Sequence, residues 1–219
     1  MKKSNRAFQF KLCILGDKTV GKTSFFNYFI PQDKRQRSSI LQTHHGSQVL
    51  DAFDLQVNVQ LWDWSRQFSR KELYFRDMKG MIMIFDVMNK STLNVLSDMM
   101  DNAARILDKR IECILVGNKS DLRTQSSPGL SQNAIKAWIS SSDNTRFNIK
   151  YVESSFSKGI RVNEIIESLI PELLPFEKRC YNCYSTYDHV ILKSGYYFCR
   201  SCISKADLIK AEAFARVNK

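Results

Sequence analysis

The chain has 219 residues, with 33 basic and 22 acidic side chains, and therefore a formal net charge of +11. Its 43% of hydrophobic residues excludes a disordered protein, its 8 glycines exclude collagen, and no apolar run of roughly 18 residues is present to span a membrane. The length fits one domain of about 170 residues with a small appendage, because domains usually contain about 100–200 residues.

Strand-like and helix-like segments alternate over the first 175 residues. Their order, β-α-β-β-β-α-β-α-β-α, predicts an α/β fold with a mostly parallel six-stranded sheet and helices on both faces, in which the early β-β pair adds an antiparallel edge. The predicted strands cover residues 8–15, 49–54, 56–63, 81–87, 112–116 and 148–153, and the predicted helices cover residues 22–29, 93–107, 132–140 and 162–173. Ligands of such sheets bind beyond the carboxyl ends of the strands.

The alternation stops near Pro175, which predicts a domain over residues 1–175 and a small module over residues 176–219 with a terminal helix at 205–217. The basic start of the chain is followed by an apolar stretch that Gln9 and Lys11 interrupt, unlike a secretory signal. Lys2 stands where myristoylation needs glycine, and no prenylatable cysteine ends the chain. We therefore expect a cytoplasmic monomer without a lipid anchor or a transmembrane segment.

A phosphate-binding loop follows the first predicted strand directly. Residues 16–23 fit the pattern G-x-x-x-x-G-K-[ST] at every required position, and a helix is predicted to leave the loop. Backbone N–H groups of such a loop face phosphate, while Lys22 neutralises charge and Thr23 ligates Mg²⁺. The candidate phosphate-binding residues are Gly16, Asp17, Lys18, Thr19, Val20, Gly21, Lys22, Thr23 and Ser24.

A second motif indicates which base is bound. Asn118, Lys119 and Asp121 form the pattern N-K-x-D after the predicted strand at 112–116. An aspartate there can accept two hydrogen bonds from the N1 and N2 donors of guanine, which adenine does not offer, and the Lys119 stem can cover the face of the base. The pair of motifs predicts a guanine nucleotide.

With these motifs the sequence resembles the small GTPases of the Ras superfamily, nearest in general layout to its Rab and Ras branches, over residues 8–175. The resemblance is carried by residues 16–23, 61–67, 118–121 and 153–158. It implies a GDP/GTP switch with slow Mg²⁺-dependent hydrolysis. It also implies that Asp63 holds Mg²⁺ through water, that Gln67 and Lys22 are the catalytic residues, and that the backbone at Ser155, Phe156 and Ser157 meets the guanine.

The sequence departs from the family pattern at several of these positions. Arg66 occupies the place of a glycine whose N–H meets the γ-phosphate, and Lys18 and Thr19 stand where the family has small residues. Lys18 could crowd an incoming arginine finger, supply positive charge in cis, or be a solvated lysine. Phe156 replaces a small alanine, although only a backbone contact is needed there.

The first switch segment shows the largest departure. The magnesium-binding threonine of the family, nineteen residues after the loop lysine, falls on Leu41, and the nearest threonine is Thr43, which a two-residue insertion would bring into register as a magnesium ligand. The aromatic residue that flanks the guanine falls on Lys34, so that contact is absent or is made by another side chain. His44 and His45 are read either as switch or metal residues or as solvated loop histidines.

Four cysteines lie close together in the tail. Cys180, Cys183, Cys199 and Cys202 form C-x₂-C-x₁₅-C-x₂-C, the spacing of a tetrahedral structural zinc site, and the residues between the pairs predict a β-hairpin. Two disulfides are the alternative. Cys13 and Cys113 lie in apolar strands and are interpreted as small buried hydrophobes.

Two functions follow from these patterns. The first is a regulatory GTPase that works with an effector, an exchange factor and an activating protein. The second is a weakly hydrolysing, nucleotide-holding scaffold whose zinc module binds RNA, an anionic membrane or a protein partner. The tail, residues 176–219, carries 8 basic and 4 acidic side chains, a modest surplus that does not favour nucleic acid and gives only weak membrane contact.

Overall fold

The computed structural model describes residues 7–38, 43–52, 55–63, 71–107, 110–143 and 145–174, and two short strands at 189–191 and 197–199. The strands are β1 Ala7–Gly16, β2 Arg35–Ser38, β3 Thr43–Ala52, β4 Leu55–Asp63, β5 Met78–Asp86, β6 Ile111–Asn118, β7 Phe147–Glu153, β8 His189–Ile191 and β9 Tyr197–Cys199. The helices are α1 Lys22–Phe29, α2 Lys71–Phe75, α3 Lys90–Ala104, α4 Gln132–Ser141 and α5 Val162–Leu173, with 3₁₀ turns at Gln32–Lys34 and Ser120–Leu122.

Seven of these strands form one sheet in the order β2-β3-β4-β1-β5-β6-β7. Strand β1 pairs in parallel with β4 and β5, and the parallel pairing continues through β6 to β7. Strands β2, β3 and β4 pair antiparallel. The α/β class and the antiparallel edge are thus confirmed, and the buried apolar run of β5 has the composition of a strand covered on both faces.

The sheet has seven strands, so the prediction of six was wrong. The additional strand is β2, Arg35–Ser38, which lies at the edge of the sheet. It pairs with β3, so that Ser38 lies opposite Thr43 and Arg35 lies opposite Gly46. Its four residues are all polar, so the sequence shows no alternation that would mark a strand. The backbone bonds to β3 make it a strand, and they also start β3 six residues earlier than the predicted residue 49.

The start of α3 was predicted too late. Asn89 caps this helix, because its side chain accepts a hydrogen bond from the N–H of Ser91 at 3.1 Å, and the helix therefore begins at Lys90 rather than at Leu93. Ser131 caps α4 in the same way, accepting from the N–H of Ala134 at 3.2 Å. The predicted limits of α1 and α5 are confirmed.

The core has one layer on each face of the sheet. Side chains of α1 and α5 pack with one set of strand residues, and side chains of α2, α3 and α4 pack with the other set. Strand β1 contributes to both layers, with Leu12 and Ile14 on the α1 face and Cys13 and Leu15 on the opposite face. Cys13 and Cys113 are buried, as the sequence predicted, and burial raises the pKa of the Cys13 thiol to about 12.

Strands β8 and β9 form an antiparallel hairpin, in which His189 pairs with Cys199 and Ile191 with Tyr197. The hairpin predicted between the two cysteine pairs is confirmed. Cys180, Cys183 and Cys202 lie outside the described residues, as does the predicted terminal helix, and Cys199 is described only by its backbone in β9.

Two negative findings apply to the described residues alone. None of their helices is both long enough and apolar enough to cross a membrane. Within the same ranges, no three His, Cys, Asp or Glu side chains gather into a group that would hold a metal ion.

Candidate functional site

The phosphate loop connects β1 to α1 through backbone conformations that favour glycine. Gly16 has φ 152° and Gly21 has φ 106°. A Cβ atom on Gly16 would lie 2.3 Å from the carbonyl oxygen of Ile84, and one on Gly21 would lie 2.5 Å from Nδ2 of Asn118. Because neither neighbour is the end of a flexible side chain on the surface, both positions require glycine.

The backbone of the phosphate loop binds the ammonium group of Lys22. The Lys22 ammonium donates to the backbone carbonyl of Asp17 at 2.6 Å, so the loop curls around this charge at the first residue of α1. The Asp17 carboxylate accepts from the N–H of Lys18 at 2.7 Å. The side chains of Lys18 and Thr19 are exposed, whereas Val20 is buried. Positive charge and the N-terminus of α1 therefore meet at one point, which suits a phosphate group.

Thr23 and Asp63 meet at the carboxyl end of β4. The Thr23 hydroxyl donates to Oδ2 of Asp63 at 2.8 Å, across 40 residues of sequence. Asp63 is only 6% exposed, and burial raises the pKa of its carboxyl, although the Thr23 hydrogen bond and the Lys22 charge oppose this shift. Its other oxygen, Oδ1, is buried without a hydrogen-bond partner in the described part of the chain. A buried carboxylate oxygen without a partner is costly, so this pair fits a divalent cation.

Thr43 is not brought to this pair. The register of β3 against β4 places His44 opposite Asp63, so these two side chains share a face of the sheet. Thr43 precedes His44 by one residue and therefore points to the opposite face, where its hydroxyl is buried and has no partner among the described residues. In this structure the Thr43 hydroxyl therefore does not point toward Asp63, and its role as a magnesium ligand stays a prediction. Leu41 lies outside the described residues.

Asn118 joins two loops of the site. Its Nδ2 donates to the carbonyl of Val20 at 2.8 Å, and its Oδ1 accepts from the N–H of Phe156 at 3.1 Å. The side chain is 4% exposed. The amide therefore fixes the phosphate loop against the loop that follows β7, since each of its two ends has a backbone partner.

Lys119 and Asp121 are held by partners outside their own motif. Lys119 adopts a left-handed conformation with φ 66°, and its ammonium forms an ion pair with Asp86 at 2.8 Å. The Asp121 carboxylate accepts from the hydroxyls of Ser155 at 2.5 Å and Ser157 at 3.4 Å. The Ser155 hydrogen bond holds the pKa of the Asp121 carboxyl below its usual range, so it is an anionic acceptor at neutral pH.

These residues surround a cavity of about 390 Å³. Its lining consists of Thr19, Gly21, Ser24, Asn118, Lys119, Asp121, Leu122, Phe156 and Ser157. Sequence reasoning selected all of these except Leu122. It also missed Asp86 as the partner of Lys119, because that contact joins the ends of two different strands. Gln67 and Arg66 lie outside the described residues, so the catalytic role of Gln67 stays a prediction.

A mixed sheet with a phosphate loop after β1 and a base cavity at the carboxyl ends of its parallel strands defines a P-loop nucleotide-binding protein. The sequence model of the Ras family matches residues 11–174, so the chain belongs to the Ras family. It is therefore a small GTPase, a class of proteins that bind GTP and GDP with Mg²⁺ and hydrolyse GTP.

The similar proteins include several Rab proteins. Ras-related protein Rab-27B of Rattus norvegicus is 28% identical over 186 residues, which is 78% of this chain and 82% of the relative. Ras-related protein Rab-4A of Bos taurus is 27% identical over 53% of this chain, and the match spans 56% of that relative. A probable Rab-4A of Echinococcus multilocularis is 23% identical over 76% of this chain and 74% of its own length.

Proposed function

We propose that this protein is a GDP/GTP switch with slow Mg²⁺-dependent hydrolysis, whose nucleotide state is read by an effector and controlled by an exchange factor and an activating protein. The observation that carries the proposal is the single site formed by the Lys22 loop, the Thr23–Asp63 pair and the cavity beside Asp121. Each part suits a different portion of a guanine nucleotide: phosphates, metal and base.

The chain's own residues would act by positioning and by charge. Lys22 and the loop N–H groups would bind the phosphates, and Thr23 with Asp63 would hold the magnesium ion directly and through water. A bound magnesium ion supplies charge compensation at the γ-phosphate. Gln67 would orient the attacking water, and the cavity residues would orient the base. Without a helper such hydrolysis runs on the order of 10⁻⁴ s⁻¹, so it acts as a timer.

Parts of the two proposed switch segments, residues 32–46 and 63–77, belong to strands and helices of the fold. The Arg35 guanidinium donates to the carbonyls of Ile30 at 2.8 Å and Asn27 at 2.7 Å, which ties β2 to the end of α1. A Cβ on Gly46 would lie 2.5 Å from Cγ2 of Ile30, so β3 packs closely on the same place. We infer that these contacts keep the beginning of β2 and the part of β3 at Gly46 attached to the end of α1.

We also propose that residues 176–219 form a separate module in which Cys180, Cys183, Cys199 and Cys202 bind one structural zinc ion. The β8–β9 hairpin supports this, because it joins the two cysteine pairs within a segment too short to bury a core of its own. Four thiolates complete a tetrahedral shell, so the ion would stabilise the module rather than catalyse a reaction.

The scaffold is the second candidate function. It is favoured by the position of Thr43 on the face of the sheet opposite Asp63, since the Thr43 hydroxyl does not reach the Thr23–Asp63 pair in the described structure. Arg66, in the place of a glycine, favours it as well. In this version the nucleotide is held but scarcely hydrolysed, and the basic zinc module contacts RNA, an anionic membrane or a protein partner.

The test begins with a native mass spectrum of the purified full-length protein. Retained GDP together with one zinc ion is the expected result. A mass lower by the hydrogens of two disulfides and without zinc would refute the zinc site, and a protein that retains and binds no guanine nucleotide would refute both candidate functions.

Single-turnover GTP hydrolysis then separates the two candidates. Measurable turnover that is lost in Gln67→Leu supports the switch. A wild type with the same negligible rate as Gln67→Leu supports the scaffold, as does salt-sensitive binding to RNA or anionic vesicles that disappears when residues 176–219 are removed.

A further inference from the structure

Phe156 occupies a defined position at the base end of the site. It lies in the loop after β7, where its N–H is bonded to Asn118, and its ring centroid is 5.5 Å from that of Phe25 on α1, with the planes tilted by 38°. A Cβ on Gly21 would be 2.9 Å from Cδ2 of Phe156, so the ring also contacts the phosphate loop. The ring therefore packs against α1 and the phosphate loop, while Asn118 fixes the backbone that carries it.

The ring is also part of the cavity wall. Most of the other lining side chains are polar, and Phe156 is the one aromatic residue among those that line the cavity in the described structure. Leu122 is the other large apolar side chain, and it is 51% exposed. A purine in this cavity would meet Asp121 with its polar edge, while Phe156 offers it apolar contact.

Lys34 does not contribute to this wall. Its ammonium donates to Oε1 of Gln48 on β3 at 3.1 Å, and Lys34 is not a lining residue of the cavity. The 3₁₀ turn that carries it, Gln32–Lys34, contains no aromatic side chain. An aromatic contact to the base is therefore either absent or made by another side chain that lines the cavity.

We propose that the side chain of Phe156 is a further nucleotide-binding group, which contacts the purine base and supplies an aromatic surface that position 34 does not. This inference rests on the proposed nucleotide binding. The physical reason is twofold. An aromatic ring against a base contributes dispersion and excludes water, and hydrogen bonds to the exposed Asp121 carboxylate become stronger when water is excluded beside it.

The experiment measures the release of methylanthraniloyl-GDP from the full-length protein in excess GDP and Mg²⁺. Phe156→Ala is expected to accelerate release on the order of ten- to a hundredfold, the range found when a ring that stacks on a base is removed. Phe156→Tyr keeps the ring and is expected to behave like the wild type. Tyr28→Ala, which removes an exposed ring of α1 that does not line the cavity, is the matched control and is expected to leave release unchanged.

A second measurement separates base contact from a structural role in the phosphate loop. Inorganic pyrophosphate has no base, so its inhibition constant against methylanthraniloyl-GDP is expected to be the same for the wild type and Phe156→Ala. An equal loss of pyrophosphate and GDP affinity would overturn the inference, because the ring would then act through Gly21. Phe156→Leu keeps most of the apolar volume and is used if the alanine variant does not fold; release several-fold faster than in the wild type is expected.

Release from Phe156→Ala at the wild-type rate or more slowly would overturn the inference while leaving the proposed function intact. A wild-type protein that binds no GDP would instead refute the proposed function itself, and the inference with it.

Discussion

The base end and the metal end of the site are built differently. At the base end, the side chains of the guanine motif are all bonded to other parts of the chain: Asn118 to two loops, Lys119 to Asp86, and Asp121 to the hydroxyls of Ser155 and Ser157. This end is organised by the protein alone, so it can hold a nucleotide in the same way in both states of a switch.

At the metal end, the polar groups are less completely paired. Asp63 has one oxygen bonded to Thr23 and the other buried without a partner in the described part of the chain. A buried oxygen of this kind gains a partner from a ligand, from an ordered water or from a residue outside the described ranges. From this comparison we expect that variants at the base end and variants at the metal end change nucleotide retention and its Mg²⁺ dependence separately.

The largest effect is expected for Asn118→Ala. The substitution leaves the buried carbonyl of Val20 and the partly buried N–H of Phe156 without their shared partner, which costs about 2–6 kcal/mol for two such groups. Urea unfolding of the variant and the wild type measures this loss in the free energy of unfolding. Asn27→Ala, at an exposed position of α1, is the control and is expected within about 0.5 kcal/mol of the wild type. Equal effects of the two variants on the free energy of unfolding would contradict the conclusion that the protein alone organises the base end.

Asp63→Asn is expected to act on the metal end alone. It removes one negative charge from the Thr23 pair, so the Mg²⁺ dependence of GDP retention should weaken by about ten- to a hundredfold in metal affinity. Release of methylanthraniloyl-GDP across a Mg²⁺ titration measures this. In excess EDTA the variant and the wild type should release the nucleotide at similar rates. A large difference in EDTA would show that Asp63 also supports the base end.

The same carboxyl predicts a pH dependence of the metal-free protein. Because burial raises the folded-state pKa of Asp63, the folded state binds the proton more tightly than the unfolded state. Its contribution to stability is therefore fully present below the ordinary aspartate pKa and is lost as pH rises through the raised folded-state pKa. Urea unfolding in EDTA should show that Asp63→Asn removes this loss. A wild type and variant with parallel pH profiles would contradict the prediction.

Arg35→Ala tests the attachment of the first switch segment. The substitution leaves the carbonyls of Asn27 and Ile30 without the guanidinium, and we expect a loss of about 1–2 kcal/mol with faster amide exchange in β2. Hydrogen exchange read by mass spectrometry checks this, with the exposed Arg37→Ala on the same strand as the control. Unchanged exchange in β2 would show that the backbone pairing with β3 alone holds the strand.

The smallest effect is expected for Lys18→Ala. The side chain is exposed and its backbone N–H, which the substitution keeps, makes the bond to Asp17. GDP release is therefore expected within about twofold of the wild type. A fall in single-turnover GTP hydrolysis with unchanged GDP release would identify Lys18 as a positive charge acting in cis at the metal end.

Much of the fold was predictable because its signals are local. Consecutive residues show the apolar runs of β1, β4, β5, β6 and β7 and the helical periodicity of α1 and α5. Strand β2 was missed because its polar residues become a strand only through pairing with β3. Helix α2 was missed as well, since five residues at Lys71–Phe75 are too few to show a period.

The sequence by itself determined the chemistry of this protein: a phosphate loop between a strand and a helix, a guanine motif after a later strand, and an aspartate at the end of β4. These depend on residue type and short spacing, which a single chain displays directly. The tertiary structure determined which side chains of the site contact one another. The Thr23–Asp63 bond, the Asn118 bridge and the contact of Phe156 with Phe25 join residues distant in the chain, and the register of β3 against β4 placed His44 rather than Thr43 opposite Asp63. Register alternates faces with every residue, so a shift of one position, which the sequence does not reveal, exchanges the side chains that reach the site.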